Sequence, residues 1–98
     1  MKQYALVAYD YKDGGALERR MVCRQSHLDG LRRLARQGRF ISGGVILDDH
    51  GKMIGSNAHF QFPDRRELEA WLEVEPYMTG QVWEQVEISE VKLFDPSS

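Results

Sequence analysis

Residues 74–88, Val74-Glu75-Pro76-Tyr77-Met78-Thr79-Gly80-Gln81-Val82-Trp83-Glu84-Gln85-Val86-Glu87-Ile88, decide the fold of this chain. They join the end of a helical pattern to the start of a strand. Proline has no N–H and its ring clashes with the preceding turn, so the helix stops before Pro76. A short turn containing Gly80 follows. From about Gln81 the pattern alternates, with Val82, Glu84, Val86 and Ile88 on one face, the period of two that marks a strand. Beyond Ser89 the apolar residues are Val91 and Leu93. That change of parity predicts a bulge near Ser89-Glu90.

Working back along the chain, Asp64-Arg65-Arg66-Glu67 is a capping box, with Asp64 as N-cap and Glu67 three residues on. The helix it opens places Leu68, Trp71 and Leu72 on its buried side. A strand runs before it from Lys52 to Phe62. Ile54, Ser56, Ala58, Phe60 and Phe62 share one face, and Gly55, Asn57, His59 and Gln61 the other. Asp48-Asp49-His50-Gly51 supplies hairpin-turn chemistry. The strand paired through it is Phe40–Leu47, whose Gly43-Gly44 suggests a bulge or a close backbone approach. From Ala16 to Gln37 the period is helical, with Leu17, Met21, Leu28, Leu31 and Ala35 on one stripe. Val22, Cys23 and Arg24 fit that stripe poorly, which predicts a short turn and then a main helix from near Arg24. Gly38 is its C-terminal stop. Tyr4-Ala5-Leu6-Val7-Ala8-Tyr9 is apolar on both alternating faces, as in a central strand covered on two sides. Asp13-Gly14-Gly15 ends it.

The order is βαββαβ, an α+β chain of the ferredoxin-like, split βαβ kind with a four-stranded antiparallel sheet. Residues 1–98 have room for one domain. Two helices cover only one face of such a sheet, yet the first strand is apolar on both. Burial of the second face between two copies of the chain predicts a homodimer.

Two short motifs carry a family resemblance. Arg24-Gln25-Ser26-His27-Leu28 and Glu75-Pro76-Tyr77, the latter followed by Gly80 and the last strand, resemble the signatures of the YciI-like (YCII-related) family, in the same order. The resemblance implies a dimeric α+β barrel and a catalytic pair formed by His27 and Glu75. It also matches Arg24 to the family arginine and Ser42-Gly43-Gly44-Val45 to a small-Gly-Pro segment. This chain departs from the family in having glutamate at 75 for aspartate and valine at 45 for proline. The first change adds a methylene and a rotatable torsion to the acidic arm. The second makes the strand more regular.

The residues themselves support several readings. His27 lies at the edge of the apolar stripe, where an imidazole exchanges protons near neutral pH or simply makes one local hydrogen bond. A carboxylate on one ring nitrogen fixes its tautomer and leaves the other for substrate. Glu75 is either that carboxylate or a polar residue closing a helix before proline. Arg24, placed within the stripe, either orients an anionic substrate or forms a structural pair, Glu75 being one partner for it. Gly44 lets a ligand approach the strand backbone. Tyr77 and Trp83 are candidate pocket walls or core. His27, His50 and His59 match no short metal-ligand spacing, so no metal is expected. Gly43-Gly44 leads into no helix, so it is no phosphate fingerprint, and no cofactor is expected. Cys23 reads as a small core residue.

Composition narrows the classes. With 13 Lys and Arg against 15 Asp and Glu, the formal net charge is −2. That gives no electrostatic reason to bind nucleic acid. Arg32, Arg33, Arg36 and Arg39 read as a solvated helix face. One cysteine forbids an internal disulfide and fits a reducing cytoplasm. Met1-Lys2-Gln3-Tyr4 runs into a strand without an apolar h-region, and no apolar run is long enough to span a bilayer, so neither signal peptide nor membrane partner is expected. The leading expectation is a small-molecule enzyme of isomerase or lyase type. His27 is its acid–base group, Glu75 its orienter, and Arg24, Gly44 and Tyr77 its substrate contacts. The alternatives are a metabolite-binding or accessory module and a cofactor-free monooxygenase on the same fold.

Overall fold

The computed structural model describes residues 1–97. Its elements are β1 (Lys2–Asp10), α1 (Ala16–Arg36), β2 (Phe40–Leu47), β3 (Met53–Phe62), α2 (Arg65–Glu73), α3 (Pro76–Thr79) and β4 (Trp83–Val91). The strands form one antiparallel sheet in the order β2-β3-β1-β4, with β1 between β3 and β4. This is the ferredoxin-like α+β arrangement. The turns behave as their residues dictate. Asp48 Oδ1 accepts from the backbone N–H groups of His50 and Lys52, and Gly51 supplies the positive φ that closes the hairpin. Asp64 caps α2 by accepting from the Glu67 N–H at 3.0 Å.

Register assigns each strand residue to a face. Tyr4, Leu6 and Ala8 of β1 stand opposite Phe60, Ala58 and Ser56 of β3, and all six are buried. Leu34 of α1 and Leu68 of α2 pack on this layer to complete the core. On the other face, Ala5 and Val7 are half-buried and Tyr9 is exposed, among more polar neighbours such as His59, Gln61, Gln85 and Glu87.

Three details differ from the expectations set by pattern. First, α1 is one continuous helix from Ala16. Its first turns are held by polar contacts that a hydrophobic stripe does not reveal. Arg19 donates to the Gln81 carbonyl and to the Asp13 carboxylate, and Arg20 is paired internally. Second, the bulge of β4 lies nearer its start, where register shifts between Tyr9↔Gln85 and Asp10↔Trp83. Trp83, Val86 and Ile88 all turn toward the helices, and the odd spacing from 83 to 86 leaves Glu84 as the extra residue. Val91 opposes Gln3 on the open face, so no shift occurs at Ser89-Glu90. Third, Pro76 does more than stop a helix. It sits at the first position of the one-turn helix α3, where its missing N–H costs nothing.

The end of α1 fits its sequence. Gly38 has φ +74, and the N–H groups of Gly38 and Arg39 bond back to the carbonyls of Ala35 and Leu34. In β2 the register shifts between Phe40 and Ser42 and again between Ile46 and Leu47, so the irregularities flank Gly43-Gly44. The close approach is real, and it belongs to Gly43. A Cβ there would lie 2.5 Å from the Asn57 carbonyl oxygen, whereas a Cβ at Gly44 would meet nothing within 4 Å.

Candidate active site

A cavity of about 310 Å³ lies between α1 and the sheet. Its floor is apolar, with Leu6, Ala58 and Phe60 from the strands and Leu28 and Leu31 from the helix. The polar residues of its lining include Arg20, Arg24, His27 and Arg32 of α1, Ser56 and Asn57 of β3, Tyr77 of α3 and Trp83 of β4. Apolar walls with a few converging polar groups are the usual composition of a small-molecule site.

The cavity explains why α1 departs from its apparent stripe. The buried positions are Ala16, Arg20, His27 and Leu34, the last three spaced by seven. Leu28 and Leu31 are half-buried because they face open space, Ala35 is exposed at the same cavity, and Met21 points outward. His27 therefore sits on the buried line of the helix and not at its edge, with 7% of its surface exposed.

His27 and Glu75 meet. The Nδ1 atom of His27 hydrogen-bonds with Glu75 Oε1, and Glu75 is only 2% exposed. The same oxygen accepts the Tyr77 N–H at 3.2 Å, so Glu75 is at once the partner of the histidine and the N-cap of α3. The longer glutamate arm does both. The imidazole stacks on the Tyr77 ring at 3.8 Å between centroids, 12° from parallel, and the Trp83 indole meets its edge at 5.7 Å. A ring so clamped has one orientation. With Nδ1 turned to the carboxylate, the neutral imidazole carries its proton there, and Nε2 is left on the other side of the ring. Burial pushes the Tyr77 phenol above its usual range, and the charges of Arg20 and Arg24 pull it partway back. A phenol that stays protonated is a wall and a donor, not a base.

Beside this pair lies a polar cluster that pattern reading passed over. Arg20, 1% exposed, donates from Nε and Nη2 to the two oxygens of Asp10, each at 2.8 Å. Nη2 also donates to Ser56 Oγ at 3.0 Å, and Trp83 Nε1 donates to that oxygen at 3.1 Å. The Arg20 guanidinium lies over the Tyr77 ring at 4.7 Å. A signal existed: Arg20 is four residues before Arg24 and seven before His27, on the same face of one helix. An aspartate ending the apolar strand β1 was its natural counter-ion.

Arg24 lines the cavity but is exposed, against the expectation of a residue within the apolar stripe, and Glu75 is paired to His27 in its stead. It forms no ion pair among the described residues. Arg24→Lys is accordingly expected to change stability by no more than about 0.5 kcal/mol, a shift of roughly 2–4 °C in Tm by calorimetry. A larger loss would make Arg24 structural. Gly44 lines the cavity, where its backbone, not the steric need of Gly43, is what a ligand would meet. Cys23 is half-buried against the core, its Sγ in the space that a side chain on Gly80 would claim. His59 bonds Ser42 Oγ on the open face, and His50 is exposed in the hairpin, so neither joins His27.

The sequence pattern of the YCII-related domain matches residues 3–92. Protein YciI of Escherichia coli O6:H1 is 30% identical over 95 residues, covering 91% of this chain and 95% of that protein. Among solved structures, the fold resembles the 5-chloro-2-hydroxyhydroquinone dehydrochlorinase of Burkholderia phenoliruptrix AC1100 in complex with 2,5-dihydroxybenzoquinone. The TM-score is 0.80 at 20% identity, over 92% of this chain and 93% of that one. A dimeric ferredoxin-like protein of unknown function from Jannaschia sp. CCS1 aligns with a TM-score of 0.53 at 15% identity, over 95% of this chain and all of the other.

Proposed function

The chain belongs to the YCII-related domain family, and from that premise we propose that it is an enzyme moving protons on a small carbonyl compound. The observation that carries the reading is the contact of His27 with Glu75 in the wall of an apolar cavity. Glu75 holds the Nδ1 proton and stabilises the imidazolium when Nε2 takes up a second one. Nε2 removes a proton from the carbon next to the carbonyl. It then returns the proton at a second carbon, which is isomerisation, or the electron pair expels a leaving group, which is elimination. The structurally similar dehydrochlorinase supports chemistry of the elimination kind on this fold. Arg24 at the mouth of the cavity attracts and orients an anionic substituent, with the Gly44 backbone and Tyr77 bounding the bound molecule.

The test uses β,γ-unsaturated five-membered lactones and cyclohex-3-enones, whose α proton can move to the γ carbon. Proton NMR in deuterated water follows the exchange. Wild-type protein is expected to accelerate it, and His27→Ala to remove about 10²–10⁴ of the acceleration. Equal rates for the two proteins across the series would sink the enzyme reading.

The working form is a homodimer in the cytoplasm, with the open faces of two sheets apposed as an α+β barrel. Ala5, Val7 and Tyr9 gain burial there, and the dimeric relative of similar fold is in keeping with this arrangement. A stable interface of this kind removes on the order of 1,200–2,000 Å² from water. Sedimentation is expected to give a dimer at micromolar concentration, and a monomer there would exclude the barrel.

A further inference from the structure

Ser56 has one hydroxyl proton and two lone pairs. Both lone pairs are engaged, one by Arg20 Nη2 at 3.0 Å and the other by Trp83 Nε1 at 3.1 Å. The proton then has a single direction left around the tetrahedral oxygen, and no acceptor for it occurs among the described residues. Ser56 is 7% exposed, so bulk water is largely shut out, and the surface it does show lines the cavity. Its two neighbours are fixed in turn. Arg20 is clamped by both oxygens of Asp10, and the Trp83 indole is buried against Tyr77 and His27.

We propose that Ser56 is an oriented hydrogen-bond donor for a carbonyl oxygen of the ligand, and that it holds the enolate oxygen formed when the adjacent carbon loses its proton. The claim rests on the proton-transfer reading above and adds the group on which negative charge collects. Arg20 bonds the Ser56 oxygen and draws electron density from it, which strengthens the O–H as a donor. Donors fixed before reaction at the site of developing charge are the effective ones, because nothing reorients during the step. Arg20 and Trp83 are positioning residues. The substrate class follows: a compact, largely apolar molecule with a ketone or lactone carbonyl, its oxygen on Ser56 and its acidic C–H toward His27.

The experiment compares 4-hydroxyacetophenone with 4-ethylphenol, which differ by a carbonyl where the second has a methylene. Both phenols are neutral at pH 6. Dissociation constants come from chemical-shift titration of the Trp83 indole N–H. Wild-type protein is expected to prefer the ketone about tenfold or more, the worth of a good hydrogen bond. Ser56→Ala is expected to reduce the preference below about twofold. Should Ser56→Ala unfold for want of an acceptor for Arg20 and Trp83, Ser56→Cys keeps the shape and a weak acceptor but donates poorly, and the same loss is expected of it. No ketone preference in the wild type, absence of binding by both compounds included, overturns the proposal. So does a preference that survives either replacement in a folded protein. Binding at equilibrium needs no turnover, so this test and the exchange assay on His27→Ala fail separately.

Discussion

Asp10→Ala should lower the stability of the folded chain by about 3–5 kcal/mol, because it leaves the Arg20 guanidinium buried without a counter-ion. Arg20 is 1% and Asp10 6% exposed, and the two share a bidentate pair at 2.8 Å. For a domain of this size the loss is at least about 12 °C in Tm, measured by calorimetry or circular dichroism. Small domains hold only about 5–15 kcal/mol in total, so the variant stands near unfolding. Asp10→Asn keeps one acceptor and is expected to fall between. The discriminating variant replaces both partners, Asp10→Leu with Arg20→Met, since an apolar pair of similar volume removes the unpaired charge. The double replacement should recover much of the loss while removing one of the two donors that hold Ser56. A mild effect of Asp10→Ala alone would mean that Arg20 finds solvent or another partner, and that the cluster is looser than its distances indicate.

The same cluster lies beyond what local patterning encodes. The period of β3 correctly placed Ser56, Ala58, Phe60 and Phe62 toward the helices, because a strand flanked by hairpin and cap residues has only two faces to offer. Asp64 fixed the start of α2 for a local reason, although Glu67 pairs with Arg39 and does not close the capping box, and Gly38 fixed the end of α1 for another. The stripe on α1 misleads because it is not one filled face. Leu28, Leu31 and Ala35 line a cavity, while the buried line passes through Arg20 and His27. A hydropathy pattern treats arginine as solvent-facing. It cannot register that Asp10, at the end of the preceding strand, supplies the compensating charge. Local parity likewise placed the β4 bulge at Ser89-Glu90, when tertiary contacts placed it at Glu84: the Trp83 indole has to reach Ser56. Of the candidate site, the meeting of His27, Glu75 and Tyr77 was legible through short motifs. Ser56 was not, since its significance lies in which lone pairs Arg20 and Trp83 satisfy, and the helix-face signal of Arg20 gains meaning only from the tertiary pair with Asp10.

Replacement of Glu75 separates its two tasks, and the contrast is the largest expected in the site. Glu75→Ala removes the acceptor for the Tyr77 N–H, a cap worth about 0.5–2 kcal/mol. It also strands the buried His27 Nδ1–H, at a cost of about 1–3 kcal/mol. Because one oxygen serves both donors, the combined loss is smaller than the sum. Glu75→Gln keeps an amide oxygen for both bonds, so stability and the Nδ1–H tautomer should survive, the latter read from two-bond proton–nitrogen correlations of His27. The amide carries no negative charge to stabilise imidazolium, however. Proton transfer on the lactones and cyclohexenones should fall by about 10²–10⁴ while the fold stands. Glu75→Asp retains the charge and makes an equally good cap, and it is expected to preserve both tautomer and rate. That outcome would identify the methylene as a variation in reach within a conserved chemistry. A Glu75→Gln protein with undiminished proton transfer would uncouple the carboxylate from the histidine. Glu75 would then be a helix cap whose neighbour happens to be an imidazole.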